Sequence, residues 1–247
     1  MLSVSIMAHP KRKELIPYLH EKVGYKCAVA WDDDNTIWNT SKKAWLQYDK
    51  KATHHLVLQD DALLCEDFIP GVAHLINIVP DKPISLFAMK RKSYIMNGKK
   101  ITDIKYYIRE CKEKNMRWLV LNKLNWGVSV LLPTKFIRPM ISYVDKHCYF
   151  PQDDFRIAYY FLHKGIPIWH PIPSLVDHRT EGGSLVSPLY MGRDSQKGRC
   201  AEYFIGENVS ALSVNWNIGC IAERELIDDY YAYMVSFNSK HKNRINS

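Results

Sequence analysis

The chain has 247 residues, 47 % of them hydrophobic and 24 % charged, which excludes a disordered segment and suits one large α/β domain with a C-terminal extension. No window approaches the ~18 uninterrupted apolar residues of a membrane helix, and the apolar run Met1 to Ala8 is too short, and followed rather than preceded by basic residues, to read as a secretory signal. The net charge is +8, unevenly spread: ten Lys or Arg stand against three acids between Met89 and Arg117.

In chain order, Ser3 to Met7 is an apolar strand stopped by His9-Pro10. Lys11 to Val23 carries Leu15, Leu19 and Val23 at helical spacing before Gly24. Cys27 to Trp31 is a second strand, ending in Asp32-Asp33-Asp34-Asn35, and Thr40 or Ser41 is expected to cap the next helix. His55 to Leu58 is a third strand, ending in Gln59-Asp60-Asp61. A helix over Glu66 to Ile78 and a strand over Pro83 to Ala88 follow. Trp118 to Leu121 and Val128 to Leu132 read as strands flanking Asn125-Trp126-Gly127. Two helices, Lys135 to Lys146 and Asp153 to His163, precede a strand over Ile166 to Trp169, and the pattern weakens from about Pro188.

Strands alternating with helices of this length predict a mostly parallel sheet covered on both faces. Ligands then bind beyond the carboxyl ends of the strands. His9 with Arg12, Asp32 to Asn35, and Asp60-Asp61 should therefore face one crevice. Paired carboxylates there suit Mg²⁺ or Mn²⁺, which take oxygen ligands, although a solvated strand terminus with capping acids carries the same pair. The six cysteines are scattered without zinc-site spacing and read as reduced thiols of a cytoplasmic protein.

Leu56-Val57-Leu58-Gln59-Asp60-Asp61-Ala62 resembles the strand and acidic motif of GT-A glycosyltransferases, of the lipopolysaccharide type and of a related phage-borne group. Trp126-Gly127-Val128 with Leu131-Leu132-Pro133, Gln152-Asp153-Asp154-Phe155, Pro173 to Arg179 and Gly183-Ser184-Leu185 resemble that family's further motifs in order, over residues 3 to 187. The resemblance implies a GT-A-like, Rossmann-like domain over residues 1–187, with a nucleotide-sugar half (1–90) and an acceptor half (91–187), and an extension over 188–247 packed on it. It implies a hexosyltransferase using a UDP-sugar with Mn²⁺ or Mg²⁺. His9, Arg12, Asp32, Asp34 and Asp60 would contact the donor, and Asp61 and His178 the metal. Asp154, or its neighbour Asp153, would be the general base of an inverting displacement. The family pattern opens its acidic motif with an acid where this chain has Gln59, a departure that bears on metal binding.

The basic segment (Lys90, Arg91, Lys92, Lys99, Lys100, Arg109), with Tyr106 interleaved, has the composition of a nucleic-acid surface. With the phage-like resemblance it points to DNA carrying a hydroxymethylated base as acceptor, and to the host cytoplasm if phage-encoded. A lysine-rich solvated face has the same composition. The rivals are a transferase acting on a lipid-linked or surface saccharide, a non-catalytic nucleic-acid-binding protein, and a metal-dependent nuclease or phosphatase.

Overall fold

The computed structural model describes residues 1–89, 94–96, 99–101, 104–124, 126–179, 200–222 and 227–245. Its strands are β1 (Leu2–Ala8), β2 (Ala28–Trp31), β3 (His54–Gln59), β4 (Ala62–Leu64), β5 (Ile84–Ser85), β6 (Tyr94–Met96), β7 (Lys99–Ile101), β8 (Trp118–Leu121), β9 (Ser129–Pro133), β10 (Ile168–Pro171), β11 (Val176–His178) and β12 (Cys220–Ala222). Its helices are α1 (Ile16–Val23), α2 (Ile37–Leu46), α3 (Phe68–Ile78), α4 (Ile104–Glu113), α5 (Ile137–His147), α6 (Asp153–His163) and α7 (Ile227–Ile245). Eight strands form one sheet in the order β12-β8-β10-β5-β9-β3-β1-β2. β1 pairs in parallel with β2 and β3, β5 with β10, and β8 with β12; β9 is antiparallel to β3 and β5, as β10 is to β8. The fold is α/β, with a mostly parallel mixed sheet, compatible with a Rossmann-like arrangement.

Side-chain alternation decides which layer each residue joins. Val4 and Ile6 of β1, Leu56 and Leu58 of β3 and Leu131 of β9 enter one core with α1 and α3. Val57, Val130 and Leu132 point the other way, into a core built with α2, α5 and α6. Both faces are covered, so these strands read as nearly unbroken apolar runs. His55 is one of the buried polar exceptions: it binds the Ser3 hydroxyl at 2.8 Å and the Ala44 carbonyl at 3.1 Å, and burial pushes its imidazole down to about 4.

Several expectations shift. The helix expected from Lys11 begins as a 3₁₀ turn over Pro10–Leu15, kinked at Arg12 (φ −119, ψ 22), and α1 starts only at Ile16 with Pro17 in its first turn. α2 begins at Ile37 with Thr36 as its N-cap residue, so Thr40 and Ser41 are buried inside it and cap nothing. α3 starts at Phe68 because Glu66 is bridged to Ser210 and Asp67, its N-cap residue, takes a left-handed conformation. The strands on either side of Trp126-Gly127 are not neighbours, since β10 and β5 lie between β8 and β9.

The C-terminal residues complete the domain. β12 extends the sheet beside β8, and the Trp118 indole donates to the Trp216 carbonyl at 2.9 Å. α7 packs on α6, with Tyr231 stacked on Tyr159, and the Asn238 amide bridges His147 and Tyr149. No helix among the described residues is long and apolar enough to cross a membrane.

Candidate active site

Three parallel strands end at the same edge, and the chain leaves each in a polar turn. After β1, the His9 N–H donates to Asp60 Oδ2 at 2.8 Å, while its imidazole accepts from the Lys11 N–H at 3.1 Å. His9 therefore meets the site through its backbone and caps the 3₁₀ turn with its ring. The kink at Arg12 brings its guanidinium between two carboxylates: Nη1 donates to Asp60 Oδ1 at 2.9 Å and also to Asp61 Oδ2.

A short two-stranded unit brings the far side in. β4 pairs antiparallel with β11, setting His178 opposite Ala62. His178 Nε2 lies 3.1 Å from Asp61 Oδ2, and the Arg179 N–H donates to the Asp61 carbonyl at 2.8 Å. The Arg179 guanidinium stacks over the Tyr18 ring at 4.4 Å. Its Nε is buried without a hydrogen-bond partner among the described residues, as are Asp61 Oδ1 and His178 Nδ1.

Burial works against ionising either carboxyl. For Asp61, His178 and Arg12 outweigh it and hold the group below the usual carboxylate range. For Asp60, burial and the neighbouring Asp61 charge win over His9 and Arg12, and the group moves up. The pair is thus tuned apart, as happens where functional groups are built.

The third wall is the Trp126-Gly127 turn against the start of α6. The Gln59 N–H donates to the Val128 carbonyl at 2.9 Å, tying this turn to the end of β3. Trp126 holds φ 78, costly for a bulky side chain. A Cβ at Gly127 would lie 3.3 Å from Asp154 Cβ and 3.8 Å from the Asp153 carboxylate, so glycine is what lets the turn approach α6. Asp153 is buried, and desolvation pushes its carboxyl up despite the backbone N–H groups at the start of α6. Asp154 is half-buried, with Oδ1 accepting from the Phe155 N–H at 2.9 Å.

The structure thus gathers His9, Arg12, Asp60, Asp61 and His178, with Asp153 and Asp154 across Gly127. Asp32 sits next to β1, its N–H donating to the Ala8 carbonyl at 2.8 Å, with a buried Oδ1 that has no partner among the described residues. Asp34 is exposed and receives the Thr36 N–H at 2.9 Å and the Asn39 amide at 2.7 Å, which fastens the start of α2. On α4, Arg109 lies over the exposed Tyr106 ring at 5.6 Å and is 3.6 Å from Glu113. Lys90, Arg91, Lys92, Asn125, Gly182 to Leu185, Arg193 and Arg199 lie outside the described residues, as do the side chains of Lys99 and Lys100. Arg179 and Tyr18 are the members that sequence reasoning missed. The only signal was Arg179's place directly after His178.

The implied divalent cation can be tested against these donors. Mg²⁺ and Mn²⁺ need oxygen ligands close at hand, near 2.1 Å for Mg²⁺. Three of the four carboxylate oxygens already receive N–H groups: both of Asp60, and Oδ2 of Asp61. The two donors left, Asp61 Oδ1 and His178 Nδ1, do not converge, because the ring turns its other nitrogen toward Asp61. As the side chains stand, the set does not fit the cation.

The fold and this edge define an α/β protein with a buried charged cluster at the carboxyl ends of its parallel strands. No protein-family model matches the chain, and no curated protein matches it either.

Proposed function

We propose that this chain is a GT-A-type glycosyltransferase that moves a hexose from a nucleotide sugar onto a hydroxyl acceptor. The observation that carries the reading is the meeting of Arg12, Asp60, Asp61 and His178 at the carboxyl ends of β1 and β3, with Asp153 and Asp154 packed against the Gly127 turn that is tied to the end of β3. Ligands of open α/β sheets lie at this edge. In a single in-line displacement, the acceptor oxygen bonds to the anomeric carbon as the bond to the departing phosphate oxygen breaks, and the hydroxyl proton passes to a carboxylate. Asp154 suits that role better than Asp153, being half-buried where Asp153 is buried and pushed toward its neutral form. Asp61 Oδ1 is an acceptor suited to a donor hydroxyl, and Asp32 to the nucleoside.

For the acceptor we propose DNA bearing a hydroxymethylated pyrimidine. The solvent face of α4, with Lys105, Tyr106 and Arg109 exposed, combines cations with a ring able to stack a base. The test uses radiolabelled UDP-hexoses with hydroxymethylated duplex. Transfer of label to DNA is expected, with Asp154→Asn losing about 10²–10⁴-fold in rate and keeping nucleotide binding. Retained turnover would remove Asp154 from the role. Label found on lipid-linked saccharide and not on DNA would move the acceptor.

A further inference from the structure

We propose that Arg12 and Arg179, and not a divalent cation, hold the diphosphate of the donor at this site, an inference that rests on the transferase reading. Three observations carry it. The first is occupancy of the acidic pair: one guanidinium nitrogen, Arg12 Nη1, serves both Asp60 and Asp61. A metal on those oxygens would meet a fixed positive charge at the contact distance where Coulomb repulsion is largest. The chain has therefore put its own cation where a metal would have to sit.

The second observation is how firmly that cation is placed. Arg12 occupies the kink of the 3₁₀ turn, whose first residue is Pro10 and whose cap is the His9 ring. Its side chain is only 15 % exposed. Burial disfavours its charge, yet Asp61 and Asp60 more than compensate, so the guanidinium stays charged and its own pKa moves up. A guanidinium offers five N–H donors in a planar fork that matches phosphate oxygens two at a time.

The third is a second guanidinium on the other wall. Arg179 is anchored by its own N–H on the Asp61 carbonyl, and its head lies over the Tyr18 ring. It keeps a buried Nε–H without an acceptor among the described residues. A buried, unpaired donor on a charged group is costly unless a ligand supplies the acceptor. Tyr18 is itself fixed: its hydroxyl receives the Leu64 N–H at 3.0 Å, and burial pushes it up to about 12, so the ring under Arg179 stays neutral. Arg12 thus lies on the acidic pair from the β1 side, and Arg179 joins Asp61 through its backbone from the β11 side with its guanidinium over Tyr18; a diphosphate leaving group needs such charge to balance its own.

The experiment is a binding titration of the full chain with UDP, GDP, CDP, ADP, dTDP and inorganic pyrophosphate, in EDTA and again with Mn²⁺, by calorimetry and thermal shift. The expected result is a nucleoside diphosphate that binds equally well in both. Arg179→Ala and Arg12→Lys should each weaken it by about ten-fold or more, the loss of one charge-assisted contact. Arg12→Lys keeps the charge near Asp60 and Asp61 and lowers the risk of misfolding, but loses the fork. Binding that appears only with Mn²⁺ would overturn the two-arginine assignment and leave the transferase reading standing. Metal-independent binding indifferent to both substitutions would also overturn it. No nucleotide binding under either condition would overturn this inference together with the transferase reading.

Discussion

Replacing Arg12 by alanine is the sharpest perturbation of this site. The substitution leaves Asp60 and Asp61 side by side, 7 % and 8 % exposed, with only His178 and the His9 N–H in support. Removing one partner of a buried ion pair costs about 3–5 kcal/mol, because the other charge is left buried and uncompensated. For a chain of this size each kcal/mol moves Tm by about 2–4 °C, so a fall of roughly 6–20 °C is expected. The pH dependence has a definite sign. In the parent, Asp61 is held below its ordinary value, so its contribution is present above that value and is lost as pH falls through the depressed one. Without Arg12 the carboxyls shift up instead, and protonation relieves the repulsion. The Tm gap should therefore be widest near neutrality and narrow toward pH 4. Scanning calorimetry in EDTA between pH 4 and pH 8 checks this, and added Mn²⁺ should recover part of the loss in the variant alone. A fall under about 2 °C at pH 7, or a gap that does not narrow with acid, would refute the reasoning.

Two further predictions concern other parts of the same domain. Asp153→Asn should raise Tm at pH 7–8 and give no gain at pH 3.5, because burial holds the folded-state carboxyl above its ordinary 3.8 and its ionisation costs stability only above that value; equal gains at both pH values would contradict this. Gly71→Ala should cost about 1–3 kcal/mol by overpacking, since a Cβ there would overlap the Ala211 Cβ. A variant as stable as the parent by urea denaturation would show that the segment around Ala211 can withdraw from α3 without cost.

What could be read in the sequence, and what could not, follows from how local each signal is. Asp60-Asp61 was legible because the acids directly follow an apolar strand, and the parallel sheet then brings the ends of β1, β2 and β3 together. α6 was placed with its bounds intact, since its eleven residues open on two acids and continue at helical periodicity. β4 and β11 are three residues each, too short to show a period, so only the family resemblance put His178 with Asp61, and the strand pairing that carries it there was not readable. The start of α2 was missed for a local reason: Asp34 accepts the Thr36 N–H two residues on, which begins the helix earlier than the hydroxyls of Thr40 and Ser41 suggested. The fate of the tail was hidden because β12 and α7 are defined by what they pack against, a neighbouring strand and the aromatic face of α6.

Two adjacent acids demand positive charge without specifying its source. Buried together, they repel each other and lose hydration, and only a nearby cation or protonation relieves both costs. A metal, a guanidinium and a proton are the three available answers, and the sequence motif is the same for each. The structure separates them by geometry. A shared proton would satisfy the pair without any fixed cation, whereas here one guanidinium nitrogen donates to a carboxylate oxygen of each acid. A metal would need several oxygens turned to one point, whereas three of four already accept N–H groups. The guanidinium answer requires a cation 48 and 49 residues away to be steered onto both acids, and the kink at Arg12 does that. The feature deciding the chemistry of the acidic motif therefore lies in the turn after β1 rather than in the motif itself.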